Sequence, residues 1–110
     1  MEFQRADRVG DLLREIIAET LRRDLRDPRL RSVNLTEVRV SRDLRQAKVF
    51  FNLLGDGVSK DEALAGLKSA AGFIRAKVGE QAKLRFVPAI EFAYDEFEEN
   101  ARRIDALLKF

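Results

Sequence analysis

Three β-patterned stretches lie between Val33 and Tyr94, and the last two are separated by roughly 30 residues of helical pattern. No feature constrains the fold more. Strands joined by a tight turn must be antiparallel, whereas a crossover of a dozen or more residues lets two strands run parallel in one sheet, with a right-handed connection. The first two stretches fit a hairpin. Thr36, Val38 and Val40 alternate with Glu37 and Arg39; then Ser41-Arg42-Asp43-Leu44-Arg45 reads as a polar turn. In the second strand Ala47, Val49, Phe51 and Leu53 alternate with Lys48, Phe50, Asn52 and Leu54. Apolar residues on both its faces predict a central strand. In the third, Phe86, Pro88, Ile90, Phe92 and Tyr94 share one face, and Pro88 predicts that this strand starts there or lies at an edge.

Helices surround these strands. Val9, Leu13, Ile16 and Thr20, with Leu12, Ile17 and Leu21, recur at three- and four-residue spacing and predict an amphipathic helix over Arg5 to Leu25, ended by Asp27-Pro28. Ser59-x-x-Glu62 is a capping box opening the crossover helix. Leu64, Leu67 and Ala71 line its first part, Phe73, Ile74 and Val78 its second, and Ser69-Ala70-Ala71-Gly72 between them predicts a kink or restart. Asp95-x-x-Glu98 with Ile104, Leu107 and Leu108 predicts a short C-terminal helix. The expected fold class is α+β, a three-stranded sheet with helices packed on one face, in one domain spanning residues 1–110.

Composition limits the chemistry. With no Cys and no His, thiolate or imidazole metal sites, nucleophiles and general bases are excluded, and only carboxylates, Ser/Thr, Lys or Tyr remain. The carboxylates at Asp95, Glu96, Glu98 and Glu99 sit where a helix N-terminus is expected, a place that favours acids for its own stability. No phosphate-binding Gly loop or nucleophile elbow is present. Neither catalysis nor a cofactor is expected. The opening MEFQRADRVG has no apolar core of a secretory signal, and no apolar run is long enough to cross a bilayer, so a cytoplasmic protein without membrane contact is expected.

The net charge of +2 says little, but its distribution says more. From Arg22 to Lys48 nine basic residues face four acidic ones, and the chain's basic residues are mostly Arg, which suits bidentate phosphate contact. An Arg-rich solvated surface would read the same way. Strand, helix, tight junction, helix, strand is also the core order of a K-homology domain, an RNA-binding unit. There the junction is Gly-x-x-Gly; here it is Ala70-Ala71-Gly72, which suits a backbone approach to phosphate or merely close helix packing.

Several stretches in order and spacing carry a resemblance. They are Arg5-x-x-Arg8-Val9, Asp27-Pro28-Arg29-Leu30, Val38-x-Val40-Ser41-x-Asp43-Leu44-x-x-Ala47-x-Val49, Ala70-x-Gly72-x-x-Arg75 and Arg85-x-x-Pro88-x-Ile90-x-Phe92-x-x-Asp95. With these, nearly the whole chain resembles the ribosome-binding factor A family of bacterial small-subunit assembly factors. The resemblance implies a type II K-homology-like fold with an Ala-x-Gly kink, binding to 16S ribosomal RNA in the small (30S) subunit during late maturation, a role in cold adaptation and no catalysis. Many members of that family carry a C-terminal tail beyond the position of Phe110.

The expected RNA contacts are Arg5, Arg8, Arg22, Arg26, Arg29, Arg31, Arg42, Arg45, Lys68, Ala70, Gly72, Arg75, Lys77 and Arg85, with the cations converging on a single face. Arg23 has Glu19 and Asp27 at four-residue spacing and is expected to be paired internally, whereas Arg22 has no acid at that spacing. Phe86, Phe92 and Tyr94 fit a base-stacking platform or, as an alternating strand face, burial. A monomer without a small-molecule substrate is expected. The rival reading is a protein–protein adaptor docking through the open sheet or the acidic C-terminal helix.

Overall fold

The computed structural model of the chain describes residues 2–96, and the expected C-terminal helix, with Glu98 and Phe97, lies outside them. Helix α1 (Glu2–Arg23) leads through a single 3-10 turn (Pro28–Leu30) to strand β1 (Val33–Val40). Strand β2 (Gln46–Leu53), helix α2 (Lys60–Gln81) and strand β3 (Ala89–Tyr94) follow. The sheet order is β1-β2-β3, with β1 antiparallel to β2 and β2 parallel to β3 across the α2 crossover. As expected, β2 is central.

Ala47, Val49 and Phe51 of β2 are buried on the helix side, in register with Ile90, Phe92 and Tyr94 of β3. Phe51 meets Tyr94 edge to face, their centroids 5.6 Å apart. Leu13, Ile16, Ile17, Leu67, Ile74 and Val78 close the core from above. A fully buried Phe or Leu of this kind stabilises the fold by about 1.5–3 kcal/mol. Thr20, the buried polar residue of α1, donates its hydroxyl to the Ile16 carbonyl at 2.7 Å. Gly10 sets how closely α1 crosses β1, since a Cβ there would lie 2.9 Å from the Val38 carbonyl oxygen.

Two local departures from the sequence pattern matter. Alternation places Thr36 on the face of Val38 and Val40, but a bulge between Leu35 and Glu37 puts two residues of β1 against one of β2. Leu35 therefore enters the core, and the Thr36 hydroxyl donates to Asp95 Oδ2 at 2.7 Å, tying β1 to the end of β3. The capping box at Ser59 forms as expected, but α2 then runs unbroken through the Ser69–Gly72 step. Ala70 and Ala71 are strong helix formers, and a single interior Gly costs only about 1 kcal/mol. The two helical stretches expected on either side are one helix.

α1 runs from the hairpin-turn end of the sheet, where Gly10 meets Val38, towards the start of β1, where Arg14 Nη2 donates to the Leu35 carbonyl at 3.3 Å. α2 runs the opposite way, from Gly66 beside Arg29 and Leu30 to Gly79 beside Val87. Those directions decide where the arginines end up.

Candidate nucleic-acid interface

The C-terminal end of α1, the 3-10 turn and the start of β1 enclose a groove of about 520 Å³. Arg22, Arg26 and Arg31 line it over an apolar floor that includes Leu21, Leu25, Leu30 and Val33. All three cations are exposed. Arg22 is nonetheless paired: Glu19 accepts from it at three-residue spacing as well as from Arg23 at four. Scanning only four-residue spacing overlooks such a pair. Both sit in solvent, so the pairing is weak and a phosphate can compete for the guanidinium.

Arg29 is committed elsewhere. Its Nε and Nη2 hold both carboxylate oxygens of Asp27, at 3.0 and 2.7 Å to Oδ2, and its backbone N–H donates to Asp27 Oδ1 at 2.9 Å. Asp27 is thus the cap of the 3-10 turn and the acceptor of a bidentate pair. The hydrogen bonds from Arg29 hold its carboxyl below the usual carboxylate range, and the same pairing raises the Arg29 guanidinium. Asp27 pairs with Arg29, not with Arg23 as the spacing suggested. Arg29, expected among the RNA contacts, braces the turn instead.

A second basic group lies at the opposite end of the strands. Arg42 and Arg45 belong to the hairpin turn, where Leu44 takes a left-handed φ of 62°. Asp43 Oδ1 accepts from the Ser41 hydroxyl at 2.7 Å and from the Arg45 N–H at 3.1 Å, and these bonds hold its carboxyl below the ordinary range. Asp43 is structural, as expected of a turn aspartate. Arg45 and Arg85 both stand near the Phe86 ring, 5.9 and 5.5 Å from its centroid. Arg75 reaches the same segment, its Nη2 donating to the Val87 carbonyl at 3.4 Å.

On α2, Lys68, Gly72 and Arg75 are exposed and fall at helical spacing on one outward face, leading to this second group. A Cβ on Gly72 would meet nothing within 4 Å, so no packing inside the chain requires the glycine. Ala70, expected beside it as a contact, lies on the buried stripe with Leu67 and Ile74 and faces the core. Lys77 turns to a neighbouring face, near Glu80 at 3.9 Å and over the Phe73 ring at 5.6 Å. Arg5 and Arg8 are exposed on α1, and Arg8 shares its surface with Asp11, Arg14 and Glu15, a mixed-charge region.

The cations therefore do not converge on one patch. An eight-residue strand spans about 23 Å between its first and last residues, and the groove and the second group sit at its opposite ends. The three aromatic candidates also separate. Phe92 and Tyr94 pack against the core, whereas Phe86 lies ahead of β3 and is 60 % exposed. Pro88 was the available signal, since a strand that starts after it leaves Phe86 outside the alternation. Phe50, on the open sheet face, lies between Arg39 at 5.4 Å and Lys48 at 5.5 Å. Among the described residues no three acidic side chains are grouped to hold a metal ion, and no helix is long and apolar enough to cross a membrane.

Comparison with known proteins agrees with this architecture. The family described as ribosome-binding factor A matches residues 5–108. The ribosome-binding factor A of Halothermothrix orenii is 43 % identical over 109 residues, covering 99 % of this chain and 89 % of that protein. The crystal structure of ribosome-binding factor A from Thermus thermophilus superposes with a TM-score of 0.72 at 25 % identity, covering 81 % of this chain and 93 % of that one. A Thermus thermophilus homology model fitted into a cryo-EM map of a complex with the 30S subunit matches with a TM-score of 0.68 at 24 % identity, over 82 % and 94 % of the two chains. The α+β, K-homology-like arrangement is common to them. By the extent of these matches and the order of its elements, the chain belongs to the ribosome-binding factor A family.

Proposed function

We propose that this chain binds 16S ribosomal RNA within the small (30S) ribosomal subunit and assists late maturation of that subunit, without catalysis or cofactor. Family membership supports the partner, and a Thermus thermophilus member of the family has been fitted into a 30S complex. The observation that carries the RNA reading is the outward basic run from Lys68 through Arg75 to Arg85 and Arg45, with exposed Gly72 within it. The groove cations Arg22, Arg26 and Arg31 add a second point of contact. Phosphate neutralisation at both ends makes affinity the sum of many modest contacts. A protein rigid between two such points binds best the rRNA conformers whose phosphates match their separation. It thereby shifts the folding equilibrium of the RNA towards those conformers. The chain acts as a cytoplasmic monomer and a single domain in this reading.

Cosedimentation with purified small subunits tests it. Changing Arg22, Arg26 and Arg75 to Glu should abolish cosedimentation and leave the thermal melt nearly unchanged, because all three are exposed. Undiminished binding would remove the basic residues from the mechanism. Raising the salt should weaken binding steeply, whereas an adaptor docking through apolar surface would hold on.

A further inference from the structure

Phe86 is more exposed than Phe50, Phe51, Phe73, Phe92 or Tyr94, and its exposure does not come from a loose backbone. Val87 packs on α2, where a Cβ on Gly79 would come within 3.0 Å of its Cγ2. The Val87 carbonyl accepts from Arg75, Pro88 is wholly buried, and the Ala89 N–H donates to the Arg45 carbonyl at 2.8 Å. The segment is pinned while the ring projects outward. Arg45 and Arg85 approach it at 5.9 and 5.5 Å. Both guanidiniums stand over the ring near the outer limit of cation–π reach, about 6 Å, and beyond the roughly 3.5–4 Å of atom contact, so a base can take their place against it. Neither makes an ion pair among the described residues. The nearest carboxylate in the turn, Asp43, is occupied by the Ser41 hydroxyl and the Arg45 N–H, although its charge still acts on Arg45.

An apolar protein surface is a poor occupant for such a place, since burying two unpaired guanidiniums is costly. A nucleotide satisfies both halves at once: its base offers a flat face to the ring, and its phosphates offer acceptors to the arginines. Phe50 provides the contrast within the same molecule. It too has two cations close by, but it is half-buried, Glu37 holds Arg39 at 2.8 Å, and Glu91 stands in register with Lys48. A phosphate there would meet carboxylates.

We propose that Phe86 is a stacking platform for one unpaired base of an RNA strand, with Arg45 and Arg85 holding the phosphates beside it. This rests on the RNA-binding reading and narrows it to single-stranded RNA, because a base inside a duplex is already stacked on its neighbours.

The chain contains no Trp, so Phe86→Trp installs a single reporter at the platform. Three probes are titrated against it: a single-stranded oligoribonucleotide of mixed sequence, the same strand with abasic residues, and a duplex of equal length. The single strand should quench the Trp fluorescence, and the abasic strand and the duplex should not. Phe86→Leu, which keeps bulk but loses the ring, should bind the single strand roughly 5- to 150-fold more weakly, the range for one stacked base. Its melt should be unchanged, and Phe86→Tyr should bind normally. Equal binding by Phe86→Leu, or a reporter indifferent to the single strand, overturns the platform. If small subunits still cosediment normally in that case, the wider rRNA reading survives. Failure of the unsubstituted chain to bind subunits would sink the wider reading, and the oligonucleotide titration would still decide the platform. Quenching by RNA-free ribosomal protein in place of the strand would make the occupant a protein and overturn the proposal.

Discussion

The groove at the start of β1 and the exposed group around Phe86 are both basic, yet they are built differently. The groove is concave, floored by Leu21, Leu25, Leu30 and Val33, and has acids within reach: Glu19 holds Arg22, and Asp27 holds Arg29 beside it. The Phe86 group is built around an exposed ring, and its arginines make no ion pair among the described residues. Charge alone does not separate them. The arrangement of acids and rings does, and under the proposed function the groove would follow phosphates whereas the other end would also meet a base.

The largest expected effect comes from reversing each group as a set. Arg22, Arg26 and Arg31 to Glu, and separately Arg45, Arg75 and Arg85 to Glu, should each reduce small-subunit binding severely. Each lost phosphate contact should flatten the slope of log affinity against log salt by about 0.7 for single-stranded RNA. A triple that leaves both affinity and slope unchanged would remove its end of the molecule from the interface.

Next in size is Gly10→Ala. The new Cβ would collide with the Val38 carbonyl oxygen, a backbone atom that cannot turn aside, so α1 must lift from β1. Overpacking of this kind costs about 1–3 kcal/mol, read as a lowered urea midpoint. Because α1 delivers Arg22 and Arg26 to the groove, binding there should suffer more than binding at Phe86. An unchanged midpoint would mean the crossing is not as tight as the geometry requires.

Gly72→Ala should do the reverse for stability. Its Cβ enters open space on the outward face of α2, and removing an interior helix glycine stabilises by up to about 1 kcal/mol. If RNA backbone passes close to that face, binding should weaken while the melt rises. A rise in the melt with unchanged affinity would remove Gly72 from the contacts and leave this end of the molecule to Lys68, Arg75 and the Phe86 group.

The smallest effect concerns the acid next to the groove. The Asp27 carboxyl titrates below its ordinary value of 3.8 in the folded chain, so the unfolded chain binds the proton more readily. Its stabilisation is therefore complete at neutral pH and fades as pH falls below the ordinary value and through the lowered one. Asp27→Asn keeps an oxygen to cap the turn but loses the charge, and should flatten this acid limb in pH-dependent denaturation. It should also release Arg29 towards the groove. An identical acid limb would show that the pair contributes nothing measurable.

Much of the architecture is legible in the amino-acid sequence. The alternation in β2 and β3 and the length of the segment between them led to the mixed sheet order, and Ser59-x-x-Glu62 marked the start of α2. Thr36 escaped, because a bulge inserts one residue without leaving a mark in composition. For Phe86 the sequence left stacking and burial both open, because a two-residue period continues through Pro88 even though the strand does not. Arg22 was misjudged because helical neighbours sit at three residues as well as four.

Elements, strand order and the absence of thiol and imidazole chemistry came from the amino-acid sequence itself, since periodicity and residue type are local properties that survive in a linear string. The distribution of the arginines did not. Which guanidinium finds a carboxylate, and which end of a strand it stands on, depends on helix direction and on close backbone approaches such as Gly10 to Val38. Those exist only once the helices have settled on the sheet. Tertiary packing alone decided that the basic residues form two separate places and that one of them carries an exposed ring flanked by two arginines.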